Sequence, residues 1–188
     1  LLVWVDDDGA ANRPVSSNKT ALYYSFYDGE VWSDPRIVEQ DGTADTMPRL
    51  KMVDGTAHLA WVNSNTVFQD ESADINGVSE TLEISYAYFD VASQTFKGIQ
   101  KITENAMLDM SPEISSISGN IAVTWLRNTE NDVFMRNSST DIMCAQLIDG
   151  VWKTECILSQ RQAINKIQVP ESGETITVVF SEDTDGDY

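Results

Sequence analysis

The sequence predicts an all-β fold: a partial β-propeller of about three four-stranded antiparallel blades, with residues 1–188 forming a single propeller fragment. Two observations predict it. An apolar stretch tipped by a large aromatic recurs as Leu2-Val3-Trp4-Val5, Leu59-Ala60-Trp61-Val62, Val123-Thr124-Trp125-Leu126 and Val178-Val179-Phe180, its aromatics 57, 64 and 55 residues apart. Periods of this length mark units too small to bury their own apolar faces, which must stack or fan about an axis. Between the repeats, apolar–polar alternation runs from one Gly-bearing turn to the next, with no convincing helical period.

Each unit reads as strands a, b, c and d, with b carrying the aromatic tip. The chain opens in b, and a long polar loop follows each b. Strand c is Ala21–Phe26, Leu82–Tyr88 and Ile142–Leu147, rich in aromatic and β-branched residues. A short turn at Asp28-Gly29, near Asp90 to Gln94, or at Asp149-Gly150 leads to d, which opens on Trp32, Phe96 or Trp152. Strand d runs into Ile37-Val38, Ile99–Ile102 or Ile157-Leu158. A connection then reaches a, at Pro48–Val53, Pro112–Ile117 or Lys166–Val169. Tight turns at Asp54-Gly55, Gly119-Asn120 and Ser172-Gly173 return to b. The repeats span approximately 1–53, 54–117 and 118–169, and a further blade starts at 170–188. Such an arc has two open edges, so ring completion by flanking sequence or by oligomerisation is expected. The chain begins with Leu1 rather than Met, which points to a segment upstream.

Thirty acidic residues against 12 Lys and Arg give a net charge of −18. That surface repels phosphate backbones and anionic headgroups, so no nucleic acid is expected as a partner. No stretch has the length to span a bilayer as a helix, so no membrane insertion is expected either. Basic partners and divalent cations are what this charge attracts. Cys144 and Cys156 flank one hairpin. A two-residue loop sets Cys144 opposite Glu155, whereas a three-residue bulged loop sets the thiols opposite each other. Separate thiols are the default.

Tyr24-Ser25-Phe26-Tyr27-Asp28-Gly29-Glu30-Val31-Trp32 resembles the Asp-box repeat of sialidase-like β-propellers, which reads Ser, any, Asp, any, Gly, any, Thr, aromatic. Ser25, Gly29 and Trp32 match its first, fifth and eighth places, while Tyr27 stands where Asp belongs and Val31 where Thr belongs. The resemblance implies a sialidase-like propeller in which the box locks a hairpin. Enzymes of that family grip a carboxylate with an arginine cluster and use a tyrosine nucleophile paired with a glutamate, together with an acidic acid/base. Arg13, Arg36, Arg49, Arg127, Arg136 and Arg161 do not match that triad's setting, and Arg49 and Arg127 read as surface ion-pair residues.

Topology sorts the acids by face. The a–b and c–d turns share one end of the sheets, and the b–c loops and d–a connections share the other. Asp6, Asp7, Asp8, Asp70, Glu71, Asp74, Glu130, Asp132, Glu39, Asp41, Asp45, Glu104 and Asp109 fall on this second end. Loops on a rigid scaffold are where binding resides, so Asp45, Asp109, Asp74 and Asp132 are the candidate ligand-binding residues. Asp45-Thr46-Met47-Pro48 and Asp109-Met110-Ser111-Pro112 recur at one place, where an Asp accepting a backbone N–H fixes the turn into strand a. Asp183, Asp185 and Asp187 alternate like the start of a calcium loop and are the candidate metal ligands, with calcium the candidate ion. The repeated tryptophans read as packing between blades. His58, the single histidine, reads as an exposed or hydrogen-bonded imidazole. Asn18-Lys19-Thr20 and Asn137-Ser138-Ser139 are glycosylation sequons.

The functional expectation is a non-catalytic propeller module of a secreted or cell-surface protein, binding a protein or glycan through its acidic loop face. The alternative is a sialidase-like glycoside hydrolase whose catalytic blades lie partly outside this chain, motivated by paired acids on the loop face.

Overall fold

The computed structural model describes residues 1–7, 15–134, 139–162, 164–170 and 173–182. Within them the fold is all-β, arranged as four separate antiparallel sheets. The first holds β1 (Leu2–Asp7), β2 (Thr20–Ser25) and β3 (Arg36–Ile37) in that order. The second holds β4 (Asp45–Val53), β5 (Thr56–Ser64), β6 (Leu82–Asp90) and β7 (Thr95–Lys101). The third holds β8 (Leu108–Ile117), β9 (Asn120–Asn128), β10 (Ser139–Ile148) and β11 (Val151–Gln162), and the fourth pairs β12 (Ile164–Gln168) with β13 (Val179–Glu182). A short helix, α1 (Ile75–Ser79), lies between β5 and β6.

Two-residue turns with both φ angles positive set the registers. They are Asp54 (φ 48) with Gly55 (φ 79), Ser118 (φ 50) with Gly119 (φ 78), and Asp149 (φ 52) with Gly150 (φ 77). Their twist matches that of the strands they join, which is why such turns close hairpins. The second lies one residue earlier than the Gly119-Asn120 of the sequence reading, because Ile117 pairs with Asn120. In the third, Ile148 pairs with Val151, which puts Cys144 opposite Glu155 and Cys156 opposite Met143. Both thiols are therefore free.

The two recurrent Asp-x-x-Pro segments are bulges inside β4 and β8. Met47 (φ 50) and Ser111 (φ 55) are left-handed, each is followed by Pro, and the register skips between Thr46 and Arg49 and between Met110 and Glu113. Proline cannot donate to the ladder, so the strand bends there and re-aims what precedes it.

Each sheet buries one face against the next. Leu22 and Tyr24 of the first meet Leu59, Trp61, Ala87, Phe89 and Phe96 of the second. Ala60, Val62, Ile84 and Tyr86 of the second meet Ile114, Val123, Trp125 and Met143 of the third. Leu126 and Ile142 then meet Ile164 and Ile167, with Phe180 packed alongside. Alternate residues of β5 thus enter different layers, and Leu59 to Val62 are all 0% exposed. The aromatic opening each fourth strand reaches the preceding sheet: Phe96 meets Tyr24 edge-on at 5.1 Å and Trp152 meets Tyr86 at 5.0 Å.

Gly98 tests one close approach. It is left-handed (φ 61), and a Cβ there falls 2.7 Å from the Tyr88 ring. Gly98→Ala is expected to destabilise the chain by about 1–2 kcal/mol in urea unfolding, combining φ strain with displacement of the ring.

Candidate functional site

The candidate site is the end of the sheets where β1, β5 and β9 run into long loops. The connections into β4 and β8 enter at the same end, since Asp45 pairs with Asn63 and Leu108 with Asn128. The loops of the first two sheets are laced together. Glu71 Oε1 accepts from the Ser16 backbone N–H at 2.8 Å and from its hydroxyl at 3.0 Å. Asn18 Nδ2 donates to the Phe68 carbonyl at 2.7 Å, and its Oδ1 accepts from the Phe68 N–H at 3.0 Å. At 4% exposure, with its amide engaged this way, Asn18 is closed to glycan attachment; Asn137 lies outside the described residues.

The acids on this rim serve the loops they occupy. Asp74 is exposed and caps α1, accepting from the Gly77 N–H at 2.8 Å. Asp70 accepts from the Ser72 N–H at 2.9 Å, and hydrogen bonds from the Ser72 hydroxyl and amide hold its carboxyl below the usual range. Asp132 accepts from the Phe134 N–H at 3.0 Å, and Glu130 from the Ser139 N–H at 3.2 Å.

Asp45 and Asp109, by contrast, turn inward beneath the rim and are 1% and 0% exposed. Asp45 Oδ1 accepts from the Trp61 indole N–H at 2.7 Å and from Asn63 Nδ2 at 2.9 Å. Asp109 Oδ1 accepts from the Trp125 indole N–H, also at 2.7 Å. Arg127 grips both Asp109 oxygens, Nε to Oδ1 at 2.8 Å and Nη2 to Oδ2 at 3.0 Å. Arg127 is thus a bidentate, largely buried partner, whereas the sequence reading made it a surface residue; its side chain is 17% exposed. Arg49 does form the expected exposed pair, with Glu113 at 3.1 Å.

Glu83 of β6 completes the network and was not singled out from sequence. Its carboxylate, at 0% exposure, accepts from the Asn105 backbone N–H and from Asn105 Nδ2 at 3.2 Å. The same Nδ2 donates to Asp109 Oδ2 at 2.9 Å, so one amide bridges carboxylates from two sheets. Burial pushes the Glu83 pKa up to about 7, against hydrogen bonds from Thr103 and Asn105; the Asp109 charge raises it and Arg127 lowers it. The network holds a proton near neutrality and ties the second sheet to the third.

His58 is buried, with Nδ1 2.8 Å from the Tyr86 hydroxyl, and burial lowers its pKa. In the hairpin resembling an Asp box, Asp28 does the locking, one place later than the box's Asp, by accepting from the N–H groups of Glu30 and Val31 at 2.8 and 2.9 Å. Asp183, Asp185 and Asp187 lie outside the described residues. Among the described residues, no group of three or more His, Cys, Asp and Glu side chains could hold a metal ion. No helix among them is long and apolar enough to cross a membrane. Comparison with known proteins found no matching family model, no matching curated protein and no matching solved structure.

Proposed function

We propose that this chain is an arc of a sialidase-like β-propeller, serving a secreted or cell-surface protein as a non-catalytic binding module. The fan is supported by contact between first strands of adjacent sheets: β8 packs on β4, and β12 on β8. The observation that carries the function is the lacing of the loops from two sheets through Ser16–Glu71 and Asn18–Phe68, which makes the acidic end a fixed surface. A rigid surface loses little entropy on binding. Its charge selects a cationic partner, a basic protein surface ahead of a glycan.

Asp70, Asp74 and Glu80 stand exposed on that rim. Neutralising all three by Asp→Asn and Glu→Gln is expected to weaken capture of basic protein ligands about tenfold, with binding falling steeply as salt rises. Surface plasmon resonance against basic proteins and a glycan array, alongside a glycosidase assay, tests this. Salt-insensitive binding, preference for sulfated glycans, or cleavage of a glycosidic bond would count against the module reading, and cleavage would favour the hydrolase.

A further inference from the structure

Among the described residues, the outer strands of the second and third sheets, β7 and β11, are each hydrogen-bonded on one side only, by β6 and β10. Both sheets hold four strands, and described strands precede and follow each of them in the chain, so neither free side is made by an end of the sequence. An open edge is a template for another chain, and folded proteins guard such edges with lysines and bulges. β7 is guarded in this way: Lys97 and Lys101 lie along it, Gly98 interrupts it at φ 61, and its register shifts between Tyr86 and Tyr88. β11 is more open. It runs for 12 residues, and its pairing with β10 is unbroken from Val151 to Cys156. Lys153, Thr154, Glu155 and Cys156 are all exposed.

The turn before β11 fixes which of its backbone groups face the free side. In a two-residue hairpin the flanking residues, here Ile148 and Val151, bond each other, and bonded and non-bonded pairs then alternate. Val151, Lys153 and Glu155 therefore turn their N–H and C=O groups toward β10, while Trp152, Thr154 and Cys156 turn theirs outward. A second copy of β11 laid antiparallel must set outward residues opposite outward residues. With Thr154 opposite its own copy, Trp152 meets Cys156 and Lys153 meets Glu155, each twice about a two-fold axis. Moving the axis by one residue puts Lys153 opposite Lys153, or Glu155 opposite Glu155, and like charges directly opposite each other are destabilising. The edge thus selects one register with itself. Its charge favours the same occupant. β11 carries Lys153 and Arg161 against Glu155 alone, in a chain of 30 acidic residues and 12 Lys and Arg, so two copies meet here without the repulsion of their acidic surfaces.

We propose that β11 is a self-pairing edge, at which a second copy of this chain adds antiparallel about a two-fold axis at Thr154 and joins the two third sheets into one continuous sheet. Main-chain bonds at Trp152, Thr154 and Cys156 supply affinity in this mode of recognition, and the facing Lys153 and Glu155 supply register. The site is separate from the acidic loop end and does not depend on it.

Sedimentation velocity of the whole chain over a range of concentrations is expected to show a monomer–dimer equilibrium. Lys153→Glu alone and Glu155→Lys alone each set like charges opposite one another at two places, and each is expected to weaken dimerisation about tenfold. Lys153→Glu combined with Glu155→Lys restores the opposite pairing and is expected to restore the dimer. On the unaltered chain, hydrogen exchange of the Trp152, Thr154 and Cys156 amides is expected to slow as concentration rises, whereas the Lys153 and Glu155 amides, bonded within the sheet, are protected throughout. A chain that stays monomeric, dimers indifferent to the single changes, dimers not restored by the double change, or no concentration-dependent protection of the three outward amides overturns the proposal. The exchange measurement needs no altered protein, so it decides even where a charge variant fails to fold.

Discussion

Asp109→Ala is expected to cost about 3–5 kcal/mol of stability, the largest loss of any single carboxylate among the described residues. The carboxylate sits at 0% exposure with the Trp125 indole N–H, two Arg127 nitrogens and the Asn105 amide all directed at it. Removing it strands a guanidinium that is itself only 17% exposed and leaves a buried indole donor without an acceptor. Breaking one side of such a pair leaves an uncompensated charge, which costs more than the pair contributes. Asp45→Ala removes an acceptor from neutral donors, Trp61 and Asn63, and is expected to cost about 1–3 kcal/mol. The double change Asp109→Leu with Arg127→Met, which removes both charges, is expected to recover most of the loss. Urea unfolding monitored by tryptophan fluorescence measures all of these. A loss below about 1 kcal/mol for Asp109→Ala would show that Arg127 finds water or another acid, and that the network does not tie the sheets.

The strands were legible because two-residue alternation and Gly-bearing turns act locally. β5, β6, β9 and β10 fall where apolar alternation sets them, and Asp54-Gly55 and Asp149-Gly150 close their hairpins as read. The turn at Ser118-Gly119 was misplaced by one residue because both Ser-Gly and Gly-Asn satisfy turn chemistry, and only pairing of Ile117 with Asn120 decides between them. The inward acids were harder. Asp45 and Asp109 read as ligand-binding candidates on the loop face or as acceptors of a backbone N–H fixing the turn into strand a, yet their carboxylates accept from the indoles of Trp61 and Trp125, each 16 residues on. That shared spacing was the available signal: an indole buried in a repeat position needs an acceptor, and the same acid recurs at the same distance. Glu83 gave a weaker one. It alternates with Leu82 and Ile84, which reads as the solvent side of a half-buried strand. Because the second sheet packs against the first on one face and the third on the other, alternation along it no longer separates inside from outside, and neighbouring β5 is buried from Ala57 to Ser64. The Asp-x-x-Pro bulges were visible as a motif but not as a geometry, since a proline after an extended acid is compatible with either a turn or a break in the ladder.

Glu83 gives the second large effect, through pH. In the unfolded chain its carboxyl titrates near 4.5, and in the folded chain burial holds it at about 7. Between these values the native state binds more protons than the unfolded state, so its contribution to stability is fully present below 4.5 and is lost as pH rises through 7. The loss is of the order of 3 kcal/mol, the linkage value for a shift from 4.5 to about 7, in which the opposing pulls of Arg127 and Asn105 are already contained. His58 works in the opposite direction, since burial depresses its pKa and its protonation at low pH favours unfolding. The two contributions overlap in the raw profile and must be separated by difference. Glu83→Gln removes the first alone: the variant profile subtracted from the parent's is expected to fall by about 3 kcal/mol between pH 4.5 and 8, and to be flat above. A difference that is flat throughout would mean that Glu83 is ionised in the folded chain at an ordinary pKa, and that the Asn105 bridge joins two carboxylates both charged at neutral pH. A difference that rises with pH would mean that the cluster favours the Glu83 carboxylate, with Arg127 outweighing both burial and Asp109. The sign of one subtracted curve therefore decides which of burial or charge pairing governs the junction of the second and third sheets.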